Sequence, residues 1–567
     1  MKYKWDLSKL YLKKEDFYGD MTLVRDLIKK LSSHREIKID GLSLYDLMNQ
    51  CFKIREINYK TLLYASLNYY SDINNDIFIR MKEQAEELDL FVCNETYFID
   101  ELLNIIDEDK LVLFYEECPK LREYEYYISN ILRNKKHLDT SDINVNKLNI
   151  SKKIVEYNSL FNSMDFGKIN DIDLNNTSIG KYLISSDRDI RRKSFLSINN
   201  SYRLKESEYF NILSSIIELR NDNCKMSNFS SVLESELFKE NIDKVLINNL
   251  IEVVSDNISL MNKYLDLKMK YLLIDNPNLY DINIPITDIS DSFDINSSIS
   301  ILRDIFKKFG NKYIDAFEYL LKNKYLDLEC DDNKHPTIVF SWNNYSFMNY
   351  KDRYIDLKNL AHEFGHIINS YLSSNLPFIY NDSSVFVGEV ASLVNEILLN
   401  EYLYETTNDK DKKIFYLTKI IENFISQVYR QIMYTEFENI LYNNKKLDLD
   451  ICNDEYLSLV NKYYGNVVKV DESVKYEWMR VGHLFRWNYY VYKYATGYIL
   501  AFNIVKKLKE GKYSDEYIDF LSSGSSCSNV DLLMKLDIDL YKKDLIINSF
   551  DLLDKYILEL EELLEVK

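Results

Sequence analysis

Apolar residues recur at three-to-four spacing along most of the chain, the period of a helix with one buried face. Leu44, Leu47, Cys51 and Ile54 form one such stripe, and Leu62, Leu63, Leu67 and Tyr70 form another. From residue 20 to about 140 the pattern predicts a series of amphipathic helices, broken at Asn74-Asn75-Asp76 and at Pro119. These stripes read as helical core rather than as ligand grooves. The periodicity weakens from Asp139 to Asn176, where Asn, Asp and Ser accumulate, and this stretch is the expected domain boundary. Helical runs resume from Asp187 to Arg220, from Leu246 to Leu273 and from Ile299 to Tyr325, with a loop around Pro277 and Pro285. No short repeat is present, which disfavours a solenoid.

His335-Pro336-Thr337-Ile338-Val339-Phe340-Ser341-Trp342 breaks the helical period with a β-branched and aromatic run, and predicts a strand. Its core, Thr337, Ile338, Val339 and Phe340, could offer an edge to an extended peptide. His335, beside a proline, reads as a surface or turn histidine. Helices are predicted again at Val385 to Tyr404, Lys410 to Tyr442, Trp487 to Leu508 and Leu540 to Val566.

Composition sharpens this picture. Only 12 Gly and 5 Pro occur in 567 residues, which favours long uninterrupted helices. A net charge of -19 without a Lys/Arg stripe argues against nucleic-acid binding. Seven scattered cysteines, none in a CxxC pair, suit a reducing compartment. The start carries no apolar export signal and no run is long enough for a membrane span, so a cytoplasmic location is expected.

Candidate chemistry concentrates at His362-Glu363-Phe364-Gly365-His366. The chain has only 6 histidines, and two lie here four apart, on one helical face from which both can reach a single metal ion. A chance HExxH match is expected about 0.005 times in such a chain. The bland alternative is a helix whose histidines merely cap or pack. Glu363 stands close enough to act on a metal-associated water without ligating the ion. A catalytic zinc takes three protein ligands, so a third must come from elsewhere. Asn369 and Leu372 occupy the positions where a metzincin carries Gly and a third His, which excludes that class. Glu389 and Glu396 are seven apart on one face of the next helix, with Ser392 between them. Glu389 is assigned to the metal and Glu396 to orienting a histidine ligand, with Glu396 the alternative third ligand.

The chain resembles the thimet-oligopeptidase superfamily of zinc peptidases, on its oligoendopeptidase F branch. HEFGH and Gly388-Glu389-Val390-Ala391-Ser392-Leu393-Val394-Asn395-Glu396 carry the resemblance. It extends to Trp5-Asp6-Leu7, Leu279-Tyr280-Asp281, Trp478-Met479-Arg480-Val481-Gly482-His483, Tyr490-Val491-Tyr492-Lys493-Tyr494-Ala495-Thr496-Gly497 and Phe520-Leu521-Ser522-Ser523-Gly524. The resemblance implies a mostly α fold: a two-lobed helical shell enclosing a deep channel, with a small β-sheet beside the zinc helix. It implies an N-terminal helical lobe over 1–180 and a catalytic zinc-peptidase domain over 181–567. It implies one Zn2+ per chain on His362, His366 and Glu389, with Glu363 as general base. The reacting carbonyl would be stabilised by His483 and by Tyr490, with Tyr494 and Tyr498 as further candidates and Tyr489 or Tyr492 as alternatives in register. The expected substrates are short unstructured peptides, cut at internal bonds by a Glu-activated water on zinc, with no nucleic-acid or membrane partner. The segment from Asp327 to Lys334 is short and lacks the branch's Gly-rich loop, and Gly482 stands where proline is common. Two rival readings remain: a non-catalytic peptide-binding relative, and a helical scaffold with an incidental metal site.

Overall fold

The computed structural model describes residues 3–32, 39–137, 141–169, 172–289, 291–381, 385–511 and 514–565. The fold is mostly helical, with two small sheets. Elements used below are α1 (Lys14–Ser32), α2 (Gly41–Ser71), α3 (Asp76–Thr96), the hairpin β1 (Lys168–Ile169) and β2 (Ile172–Asp173), and α4 (Glu206–Met226). They continue with β3 (Leu326–Asp327), β4 (Phe340–Trp342), β5 (Tyr345–Phe347), α5 (Tyr354–Ser373), α6 (Val385–Thr406) and α7 (Lys410–Phe424). The last are α8 (Arg430–Asn443), α9 (Gly482–Arg486) and α10 (Tyr492–Lys509). No helix among the described residues is long and apolar enough to cross a membrane.

Helix ends follow local chemistry. Asp40 caps α2 by accepting from the Ser43 amide at 2.8 Å while Ser43 Oγ accepts from the Asp40 amide. Asn75, in the predicted polar turn, caps α3 through the Ile77 amide. The run predicted from Asp187 to Arg220 is two helices, Arg188–Arg203 and α4, and the run from Leu246 to Leu273 breaks at Asn257. The long helix expected over Lys410 to Tyr442 is α7 and α8 joined by one π-helical turn, Ile425–Tyr429.

Contacts divide the chain into two compact units, each assembled from three separated stretches. The first comprises Met1–Lys136, Asp291–Glu396 and Leu508–Leu536; the second comprises His137–Ser290, Ile397–Lys507 and Asp537–Lys567. A single cut near residue 180 therefore does not describe these units, because the HExxH helix shares a unit with the N-terminal helices.

In the first unit, α1, α2 and α3 pack together, and the predicted stripe Leu44, Leu47, Cys51 and Ile54 is buried within their core. The C-terminal half of α2 turns Leu63 and Leu67 toward Trp5, Tyr345 and Phe347, a second cluster beneath the three-stranded sheet. Strand order is β3-β5-β4, with β3 parallel and β4 antiparallel to the central β5. The predicted strand is thus shifted. Phe340 to Trp342 pair with β5, whereas Thr337, Ile338 and Val339 lie outside the ladder. Pro336 removes one backbone donor, and the approach to β4 runs through a bend.

The short segment before β4 is held by a buried lysine. Lys334, 2% exposed, donates to the Asp327 carboxylate at 3.0 Å and to the carbonyls of Asp327, Glu329 and Met348. Four acceptors replace the water an ammonium loses on burial, and the loop is tied to both β3 and the end of β5. Lys334→Met leaves Asp327, 1% exposed, as an uncompensated buried carboxylate. The expected cost is about 3–5 kcal/mol, read from urea unfolding, with part of it recovered in the double variant carrying Asp327→Asn.

Candidate metal centre

Arg353 and Asp356 start α5: the Asp356 carboxylate accepts from the Arg353 amide at 3.1 Å and from its guanidinium at 2.9 Å. The helix then buries Leu357, Leu360, Ala361, Phe364, Ile367 and Ile368, all at 0% exposure. Burial of that stripe leaves His362 and His366 on the adjacent face, their side chains 24% and 26% exposed. Against this face lies α6, and the helices touch at Gly365. A Cβ there would stand 2.5 Å from Ser392 Cα and 2.6 Å from its amide nitrogen, so only glycine admits this contact. Asn395 stitches the pair further by donating to the Ala361 carbonyl at 3.0 Å and accepting from Tyr313.

At that separation the predicted residues come together. His362, His366 and Glu389 each offer one ligand atom, all within 4.8 Å of one another. The two Nε2 atoms are 3.1 Å apart, and Glu389 lies 3.8 Å from His362 Nε2 and 4.0 Å from His366 Nε2. Ser392 Oγ donates to the Glu389 carboxylate at 3.3 Å. Glu396 stands behind them: its carboxylate takes His362 Nδ1 at 2.6 Å and Lys358 Nζ at 3.0 Å. A carboxylate at Nδ1 favours the proton on that nitrogen, the tautomer in which Nε2 is the atom able to ligate. The donor set of two imidazoles and one carboxylate fits zinc.

Burial and neighbouring ionisable groups act on each of these side chains. Burial raises the Glu396 carboxyl, but the His362 hydrogen bond and Lys358 outweigh it and bring Glu396 down to about 2. Burial disfavours a charged His362, yet Glu396, Glu363 and Glu389 together leave its pKa raised. His366 falls to about 3 through burial and the neighbouring His362, which favours the neutral ring, the form in which an imidazole can ligate. Glu363 is 6% exposed, and burial raises its carboxyl against the opposing effect of His362 and Ser341.

Ser341, Lys358, Gly365 and Asn395 support these residues in roles that spacing along the chain does not state. Ser341, on β4, donates to Glu363 Oε2 at 2.5 Å and so fixes the rotamer of that carboxylate. Val339, Phe340, Ser341 and Asn343 line a cavity of about 570 Å³ together with His362, Glu363, His366 and Glu389. His335, half-buried in irregular chain before the bend at Pro336, is set edge-on to Tyr70 and does not line that cavity.

The remaining candidates belong to the second unit. His483 lies on α9, Tyr490 follows the turn after it and Tyr494 lies on α10. The His483 and Tyr490 rings stack at 6.0 Å and 17°, and Tyr494 OH is 3.3 Å from His483 Nε2. Burial and Arg486 lower the His483 pKa, favouring the neutral ring. Tyr498 is 1% exposed and packs against Phe424 and Phe502, which makes it a core tyrosine. Tyr489 and Tyr492 are 2% and 0% exposed and are core residues as well. Of these tyrosines, Tyr490 and Tyr494 are the two whose rings meet His483.

Comparison with known proteins decides the family. Residues 182–552 match peptidase family M3. The chain belongs to peptidase family M3. A Borreliella burgdorferi oligoendopeptidase F homolog is 30% identical over 97% of this chain and 96% of its own length. The Bacillus subtilis oligopeptidase PepF is 28% identical over 99% of the chain and 87% of its own. Among solved structures, oligoendopeptidase-F from Enterococcus faecium superposes with a TM-score of 0.73 at 22% identity, covering 98% of this chain and 100% of that one. A Chlamydophila abortus structure reaches 0.89 at 25% identity, over 99% and 98%. This M3 peptidase is a metallo-endopeptasde of the oligoendopeptidase F branch, and its mostly helical fold is the one those neighbours share.

The contact at Gly365 yields a direct prediction for this M3 peptidase. Gly365→Ala forces α5 and α6 apart, costs about 1–3 kcal/mol and weakens metal retention. Thermal melting and a competitive chelator titration measure the two effects; an alanine variant with native melting and metal affinity contradicts the close-contact account.

Proposed function

We propose that the chain is a zinc-dependent oligoendopeptidase that hydrolyses internal bonds of short, unstructured peptides. The observation that carries this reading is the convergence of His362, His366 and Glu389 within 4.8 Å, with Glu363 and the edge strand β4 on the same cavity.

His362, His366 and Glu389 would hold the ion, and Glu396 would keep His362 in the ligating tautomer. Zinc bound there supplies a Lewis acid that polarises the scissile carbonyl and acidifies the attacking water. Glu363 takes the proton of that water and passes it to the leaving amine nitrogen. Its burial raises its pKa from the ordinary carboxylate value toward the working pH, which suits both halves of the transfer. Ser341 holds the carboxylate in one rotamer during the exchange. His483 and the hydroxyls of Tyr490 and Tyr494 are assigned, from the family resemblance, as donors to the carbonyl oxygen as it gains charge.

Peptide binding is assigned to β4, the edge of the three-stranded sheet. A peptide that adds to this edge must be extended, with main-chain pairing that does not depend on side-chain identity. Val339 and Phe340 lie beside Glu363 on the cavity wall, so the paired segment runs past the base. Thr337 and Ile338 precede the ladder and would contact only a longer substrate.

Two tests follow. Purified protein should contain about one zinc per chain, and o-phenanthroline should abolish cleavage with recovery on adding Zn2+. Glu363→Gln should keep zinc and lose about three orders of magnitude in kcat, while Glu389→Ala should lose zinc. Full activity without metal would refute the proposal, and a Glu389→Ala protein with intact metal and turnover would move the third ligand to Glu396. The second test compares a quenched peptide with the same sequence grafted into an exposed loop of a folded protein. The free peptide should be cut and the loop spared; equal cleavage contradicts the requirement for an extended substrate.

A further inference from the structure

The turn between α9 and α10 carries His483 on one side and Tyr490 and Tyr494 on the other, and its backbone adopts a conformation that its sequence does not favour. Tyr489 has φ of 47°, in the left-handed region that L side chains with a bulky ring rarely enter. Such a residue persists only where its surroundings fix it. Here two buried side chains do so. Glu438, on α8 and 1% exposed, accepts a hydrogen bond from the Tyr489 amide at 2.7 Å. Arg220, on α4 and 9% exposed, donates to the carbonyls of Phe485 and Arg486, both at 3.1 Å, and to Tyr442 OH at 3.0 Å. The acid thus accepts from a donor within the turn, while the guanidinium donates to the carbonyls that precede it. Tyr442, one turn beyond Glu438 on α8, packs its ring 5.4 Å from that of Tyr489 and closes the group.

We infer that Glu438, with Arg220, is a positioning residue that fixes the Tyr489 turn and thereby sets the placement of Tyr490 and Tyr494 against His483. The inference rests on the assignment of that cluster as the donor set for the reacting carbonyl. Glu438 touches no member of the cluster through its side chain in the contacts described; it acts on the backbone from which Tyr490 follows. A buried carboxyl placed only for stability would be expected to satisfy both oxygens. Glu438 Oε2 instead has no hydrogen-bond partner among the described residues, so the tolerated burial centres on the single bond to the turn. Burial pushes this carboxyl up to about 8, against the Tyr489 amide and Arg220 and with Glu236 adding to the rise. A glutamine presents the same carbonyl acceptor to the Tyr489 amide.

The experiment measures kcat, KM and zinc content for the full chain with Glu438→Gln and Glu438→Leu, beside Tyr490→Phe, Tyr494→Phe and His483→Ala. Glu438→Gln should stay within about threefold of the parent kcat, because the acceptor survives. Glu438→Leu should lose roughly tenfold or more in kcat, with KM and zinc content little changed, because the turn is released while the metal site is not touched. Hydrogen exchange over residues 485–492 should be slow in the parent and in Glu438→Gln, and fast in Glu438→Leu. Parental kcat in Glu438→Leu, alongside impaired cluster variants, overturns the inference. Equal loss in the Gln and Leu variants also overturns it, since acceptor geometry would then not matter. Fast exchange of this turn in the unmutated protein overturns it without any variant, which covers a leucine variant that fails to fold. If all three cluster variants keep parental kcat, the donor assignment itself falls, and this outcome is distinct from failure of the clamp alone.

Discussion

The approach of two helices at a single glycine governs the metal centre. Each helix is amphipathic and would pack at ordinary interaxial distance were both faces to carry side chains. With no Cβ at Gly365, the backbone of α6 comes into contact with α5 at Ser392. Glu389 and Glu396 lie one turn before and one turn after Ser392, so the same contact that joins the helices presents both carboxylates to the histidines. Glu389 faces the two Nε2 atoms and Glu396 takes His362 Nδ1. One close contact therefore brings both carboxylates of α6 to the histidine pair of α5.

Buried polar and ionisable side chains are the second recurring device, and they fix irregular backbone or the orientation of a neighbouring side chain. Lys334 ties a short loop to the sheet, Glu396 links Lys358 to His362, and Arg220 with Glu438 holds a left-handed turn. Charges placed this way contribute little net stability relative to apolar packing, but removing one partner is expensive. Their value lies in specifying a single geometry where loops or ligands must be held. The apolar core, dominated by Leu, Ile, Phe and Tyr, supplies the stability that tolerates them.

The sheet shows how a fold constraint redirects a sequence preference. Thr337 to Val339 have strand-forming side chains, yet the ladder begins only at Phe340. Pro336 lacks a backbone donor, and hairpin pairing with β5 fixes the register from the Asn343-Asn344 turn outward. That register leaves Ser341 directed at Glu363, a contact with no precursor in the sequence pattern. In the tyrosine-rich segment, burial sorts residues that composition leaves equivalent: Tyr489, Tyr492 and Tyr498 enter the core, while Tyr490 and Tyr494 meet His483.

Much of this protein is decided by local rules that a sequence states openly. Apolar spacing fixes helix existence and type, polar turns place the caps, and the four-residue spacing of His362 and His366 puts both on one face. The seven-residue spacing of Glu389 and Glu396 does the same for α6. These are properties of one helix at a time, and periodicity is sufficient to read them. The composition of the two units, the role of Gly365, the seat of Ser341 beside Glu363 and the clamp on Tyr489 belong to tertiary structure. Each depends on which distant segment arrives at a given face, and that is settled by packing of whole surfaces and by the need to satisfy every buried polar group. No spacing along the chain encodes the 2.7 Å between Glu438 and the Tyr489 amide, because those residues become neighbours only when the helices that carry them have packed.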